Sequence, residues 1–235
     1  MWRRQPRSPL DQFDELSADE RDGIITTSLQ RQLAAGVTSV RDLDDYQWAV
    51  VERRWRGNAE GPRMVASGPP ITIEQGHCAS MGGAASGIEE LRTAVRERAA
   101  RAADIVNIMT SGGTMIVGTD VLACQFTLAE LCAVVDEAHT VGLAVTAHAH
   151  ALPAVEQCVA AGVDGIEHCS CLTASGIKIP PELAERIAVA GTVVCPTLGN
   201  ALGAEPPPRV NAILERLGLT LETASPKSIA AIVPA

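Results

Sequence analysis

Apolar residues along this chain come in two kinds of stretch, longer ones with helical spacing and short β-branched runs, and the two alternate. Residues 1–20 are polar, rich in Pro and Asp, and form an irregular lead-in. Within it, Ser17-Ala-Asp-Glu20 places Glu three residues after Ser, a capping box that opens a helix running to about residue 35. Further helices are predicted over 47–57, 88–102, 128–140, 153–161 and 181–190. Short strands are predicted over 37–42, 63–67, 104–110, 143–148, 165–168 and 191–197. Gly142, Gly162 and Gly191 each stand between a helix and the next strand, where a left-handed C-cap is needed.

Six strands separated by helices are the signature of parallel βαβ units, so the expected class is α/β. A closed (β/α)8 barrel takes eight such units in about 250 residues, and here about six are visible. The chain therefore divides into a lead-in (1–20), a β/α barrel domain (21–200) and a Pro-rich tail (201–235) with one helix near 210–217. An open set of six units leaves strand edges exposed, a physical reason to expect a homo-oligomer. The long connections 68–87 and 111–126 both follow strand C-termini, the face on which α/β enzymes build their sites.

Composition narrows the function. A formal charge of −9 and a pI near 5.0 argue against nucleic-acid or anionic-membrane partners. No apolar run approaches the roughly 18 residues needed to span a bilayer, and none follows the basic start, so a soluble cytoplasmic protein is expected. Seven cysteines, an odd number mostly inside apolar segments, fit reduced thiols better than a disulfide framework. Cys169-Ser-Cys171 is too tightly spaced for a structural zinc pair.

The histidines carry the chemistry. His148, His150 and His168 lie at or just past the ends of two consecutive strands, and His77 lies in a long loop at the same face. Neutral imidazoles converging at a barrel mouth suit a first-row metal, although a single strand-end histidine is more often a hydrogen-bonded structural residue. His139, one turn before Gly142, suits a charge at a helix C-terminus.

Six motifs in register then resemble the amidohydrolase superfamily, in particular its imidazolonepropionase-like and prolidase-like members. They are Ala-Ala-Gly36-Val-Thr-Ser-Val-Arg-Asp42, Gly61-Pro-Arg-Met-Val-Ala-Ser-Gly-Pro-Pro70 and Gly76-His-Cys78, then Asp104-Ile-Val-Asn-Ile-Met-Thr-Ser-Gly-Gly113, Val145-Thr-Ala-His-Ala-His150 and Gly162-Val-Asp-Gly-Ile-Glu-His168. The resemblance implies a TIM-barrel-type (β/α)8 amidohydrolase fold, incomplete in this chain. It also implies a hydrolase that cleaves an amide or peptide-like C–N bond with metal-activated water, on a small-molecule or dipeptide-like substrate. By the same resemblance His148 and His168 are metal ligands, His77 lies near the substrate, and His150 lies near the site.

Three parts of the family pattern are missing. No histidine precedes residue 37, so the family's opening His-x-His is absent. Asn107 occupies the place of the bridging lysine, and neither Lys178 nor Lys227 lies on that strand. No strand-eight Asp is found, and Asp120 belongs to the loop after the strand predicted over 104–110, which matches the family's strand four. The resemblance implies a divalent metal, often zinc, and with Asn107 in the place of the bridging lysine at most one ion per chain is expected. Catalytic zinc usually has three protein ligands; His77, His150 or Asn107 can complete the set here, or else the missing ligands come from another chain or metal is no longer bound. The alternative is a truncated, inactive homologue with a binding or structural role.

Overall fold

The structure, a computed structural model, describes residues 15–55, 61–114, 116, 118–197 and 208–219. Most of the lead-in, the end of the second predicted helix and most of the tail thus lie outside the described residues. Helix α1 (Ala18–Ala34) starts at the expected capping box: Ser17 Oγ accepts from the Glu20 amide, and the Glu20 carboxylate accepts from the Ser17 amide at 2.8 Å. Strand β1 (Ser39–Asp42) follows, and α2 (Ala49–Trp55) opens after a short 3-10 turn. Asp45 holds that entry, accepting from Val50 N at 2.8 Å and Val51 N at 3.0 Å. Strand β2 (Arg63–Ala66) pairs parallel with β1.

The alternation continues through α3 (Gly87–Ala100), β3 (Ile105–Met109), α4 (Leu128–Thr140), β4 (Ala144–Ala151), α5 (Leu152–Ala161) and β5 (Gly165–Thr173). A two-residue strand β6 (Gly176–Ile177), α6 (Pro181–Ala190), β7 (Val193–Cys195) and α7 (Pro208–Arg216) complete it. Gly142, Gly162 and Gly191 take φ of 76°, 78° and 67°, the left-handed exits that their positions predict.

Strands β3, β4, β5 and β7 pair in parallel, in chain order. The β1–β2 pair joins them where the chain beyond β2 runs along β3: Ile71 N donates to Asn107 O and Met109 N to Ile71 O, both at 2.8 Å. Asp104 strengthens the seam, its amide on Ala66 O and its carboxylate on Ala66 N. All six predicted strands therefore lie side by side in chain order. The sheet is also curled: Arg41 of β1 reaches Glu167 of β5 across the concave side, Nη2 to Oε1 at 2.8 Å. This is the curvature of a β/α barrel, with six of its parallel strands among the described residues.

The convex side carries the main core. Leu91 and Val95 of α3, Leu131 and Val134 of α4, and Val155 of α5 pack on Val106, Ile108, Val145 and Ile166, all at most 1% exposed. A smaller cluster of Leu29, Trp48, Val50, Val51 and Met64 serves the β1–β2 pair.

Two details depart from the sequence-based expectation. β4 and β5 run on to Ala151 and Thr173, so His148 and His168 lie within strands rather than at their ends. The hairpin β5–β6 is additional, pairing Leu172 with Ile177.

Candidate metal centre

His148 and His168 do not share one depth, as equal strand ends would have placed them. The register sets His148 opposite Glu167, and His168 opposite Ala149, whose methyl points into the convex core. Because side chains alternate across a strand, a regular β5 would turn His168 away from His148. Its backbone is left-handed instead, with φ 66°, followed by φ 49° at Cys169 and 48° at Cys171. The pairing resumes only at Ala151–Leu172, so β5 carries extra residues there and bulges. That bulge swings His168 to the concave side.

Three imidazoles meet as a result. His148 lies 4.7 Å from His150 and 4.8 Å from His168 between ring centroids, and His150 stacks on His168 at 4.5 Å. One ligating nitrogen from each falls within 4.8 Å of the others. Tetrahedral ligands about 2.1 Å from one zinc ion stand about 3.4 Å apart, so modest side-chain rotation closes the set on an ion.

The other nitrogens are already engaged. His150 Nδ1 meets Ser170 Oγ and His168 Nδ1 meets Thr197 Oγ1, each at 2.9 Å. His148 Nε2 lies 3.3 Å from Gly112 O. A carbonyl only accepts, so Nε2 carries the proton and Nδ1 keeps the lone pair. Partners of this kind fix ring orientation in metal sites. Burial, reinforced by the neighbouring imidazoles, holds His148 and His150 well below the usual histidine range. Burial also lowers His168, against the opposing pull of Glu167. All three are neutral near pH 7, the form that ligates metal.

The remaining predicted residues separate. His77 is buried with its ring 4.7 Å from His148, and its amide donates to Gln125 Oε1 at 2.7 Å. Gln125 in turn donates to Thr72 Oγ1 and Met109 O, pinning two loops together. Gly113 leaves the room, since a Cβ there would run into the His77 ring. Asn107 lies on the concave face of β3, 1% exposed, and donates from Nδ2 to Leu43 O at 2.8 Å. His139 stays outside, paired with Asp164 at 2.9 Å, and Asp120 stays in its loop, accepting from Leu122 N. Lys227 lies outside the described residues.

Sequence reasoning missed the polar layer beneath the histidines. Glu167 accepts from Thr146 Oγ1 at 2.6 Å as well as from Arg41. The pleat held the signal: Glu167 is the residue opposite His148. Ser170 and Thr197 had no such signal, because only the bulge brings them to the rings.

A profile of the amidohydrolase family matches residues 2–198. Ochratoxinase of Aspergillus niger is 31% identical over 163 residues, covering 59% of this chain and 34% of the fungal protein. A solved Xaa-Pro dipeptidase with methionine bound in its active site is similar with a TM-score of 0.68 and 26% identity, over 84% of this chain and 49% of that one. The crystal structure of A. niger ochratoxinase gives a TM-score of 0.75 at 23% identity over 98% of this chain and 58% of the other, a likeness of fold. The chain thus spans 34% of its curated relative and about half of the solved dipeptidase, 49%.

Proposed function

We propose, because the chain belongs to the amidohydrolase family, that it hydrolyses an amide or peptide-like C–N bond of a small molecule at one divalent metal held by His148, His150 and His168. The observation that carries this is the convergence of three neutral imidazoles whose other nitrogens are already oriented by protein groups. Three nitrogen donors suit zinc and leave a fourth position open. When bound, such an ion lowers the pKa of water and polarises a carbonyl. Around it, Ser170, Thr197 and the Gly112 carbonyl hold the rings, and His77, pinned by Gln125, faces the substrate. The ochratoxinase and Xaa-Pro dipeptidase likenesses support an amide or dipeptide-like substrate.

Asn107 has no amine with which to bridge a second ion, so one metal per chain is expected. Elemental analysis after dialysis should find no more than one zinc per chain, and His148→Ala or His168→Ala should lose it. The loss in affinity should exceed the roughly 10–100-fold typical of removing an outer-shell partner. Equal zinc in wild type and in the His148→Ala, His168→Ala double variant would rule the site out.

Two further parts of the proposal concern assembly and location. Among the described residues β7 pairs only with β5, and Val193 and Val189 beside it are 66% and 83% exposed. That supports a homo-oligomer, which light scattering of the full chain can check. All seven cysteines are free thiols, which supports a reducing, cytoplasmic compartment, and among the described residues no helix is long and apolar enough to cross a membrane.

A further inference from the structure

The three groups that hold the imidazoles lie on three different connections, and one helix packs on two of them and follows the third. Gly112 O, which accepts from His148 Nε2, opens the loop after β3. Ser170 Oγ, on His150, belongs to the bulge of β5, and Thr197 Oγ1, on His168, follows β7. The next named element after Thr197 is α7. Leu217, at its end, is buried in one apolar cluster with Val121 of the loop and Leu172 of β5, and Ile213 and Ile177 pack against that cluster. A Cβ on Gly176, in the β5–β6 hairpin, would stand 3.5 Å from Leu219 Cδ2 and 3.9 Å from Leu217 O, so the chain leaving α7 lies directly on the hairpin.

The contact reaches His148 through the backbone. Gly112 lies against Asp120: a Cβ on Gly112 would fall 2.2 Å from Asp120 O, an approach that only glycine allows. Asp120 precedes Val121, which is 1% exposed and shares the cluster with Leu217. The path from α7 to the histidine is therefore Leu217, Val121, Asp120, Gly112 O and His148 Nε2. Arg216 lies 3.8 Å from Asp120 Oδ1, but both side chains are 59% exposed and such a pair contributes little. A helix of 9 residues is not stable in water by itself, so its apolar seat decides whether α7 is formed.

We infer that Leu217 is a positioning residue for the metal centre: by seating α7 on Val121 it keeps Asp120 against Gly112 and the Gly112 carbonyl on His148 Nε2, which leaves Nδ1 to ligate. The inference rests on the proposed three-histidine centre for its effect on metal. It does not rest on amide hydrolysis, and the hydrogen bond to His148 can be measured without metal.

The test uses the full chain with isotope-labelled histidine, first free of metal and near neutral pH. A buried imidazole N–H bonded to a carbonyl exchanges slowly with water and should give a proton resonance in wild type, assigned by its loss in His148→Ala. In Leu217→Asp, which puts a carboxylate into the apolar seat, that resonance should disappear. Zinc affinity of the same variant, by calorimetry, should fall about tenfold or more, as for loss of an outer-shell partner. Gly112→Ala breaks the same contact from the other side and should do likewise. Leu29→Ala, which loosens the smaller core instead, should keep both the resonance and the wild-type affinity. No such resonance in wild type, its persistence in both Leu217→Asp and Gly112→Ala, or an equal loss in Leu29→Ala overturns the inference. So does zinc binding in both variants as tight as in a zinc-binding wild type. A wild type that binds no zinc, with the resonance lost in the two variants alone, would defeat the metal centre and leave the positioning role of Leu217 standing.

Discussion

The β1–β2 pair and the block β3, β4, β5, β7 follow the same β/α repeat, yet they are held in different ways. In the block, apolar faces of α3, α4 and α5 cover the sheet and bury a long series of residues to 0–1% exposure, Leu91, Val95, Val106, Ile108, Val134 and Val145 among them. The pair has a small core, and Leu29, Trp48, Val50 and Met64 in it remain 7–9% exposed. Polar groups tie it to the block. Arg98 of α3 donates to Ala94 O and Pro69 O and lies over the Trp48 ring, while Arg54 reaches Asp104. The strongly packed block carries the histidines and Asn107, and the polar pair carries Asp42, whose buried Oδ1 has no hydrogen-bond partner among the described residues. A rigid block can hold a bulged, left-handed His168 in place, whereas the uncompensated carboxylates sit where the packing is thinner.

Truncation separates the two regions most sharply. Ile108→Ala, in the fully buried block, should cost about 4 kcal/mol, and Leu29→Ala, at the edge of the smaller core, about 2 kcal/mol, both by denaturant unfolding. Equal losses would mean that the two cores are one cooperative unit of even density.

Charge gives the next effect, with a definite sign. Asp42 is raised from 3.8 to about 6, so the native state binds its proton more tightly than the unfolded chain. Stability is therefore lost as pH rises from about 4 through about 6, and stays lost above. Asp42→Asn carries no such charge and should be more stable than wild type at pH 7.5, on the order of 1–3 kcal/mol, with the gain vanishing near pH 4. Arg41, Asp44, Asp45 and Glu167 remain ionisable around it, and a pH-independent difference would show that burial of this carboxylate is not the cause.

The smallest effect belongs to the outer face of the block. His139 and Asp164 are both close to half exposed, and such pairs contribute about 0–1 kcal/mol. His139→Ala should shift stability by less than about 0.5 kcal/mol and leave zinc content unchanged. Loss of metal in that variant would place the centre elsewhere.

Much of this was legible before any coordinates. Leu128–Thr140 and Pro181–Ala190 match the predicted helices residue for residue, because a capping box opens the first, proline opens the second and glycine follows both. The concentration of histidines after residue 145 was legible too, and the structure brings His148, His150 and His168 together. Their arrangement was not legible: period-2 alternation puts Glu167, not His168, beside His148, and nothing local in Glu-His-Cys-Ser-Cys announces three left-handed residues.

The sequence alone determined the elements, their order and the family motifs, since caps, glycines and apolar spacing act over a few residues of chain. Tertiary structure decided which side chains meet. Arg41 and Glu167 are 126 residues apart, and Leu43 and Asn107 are 64 apart, and each pair is joined only by the curl of the sheet. The His168 backbone is strained in isolation, and packing of Cys169 and Cys171 into the core is what holds it. Such strain is chosen by the whole fold, because a left-handed residue is unfavourable until its surroundings over-determine it.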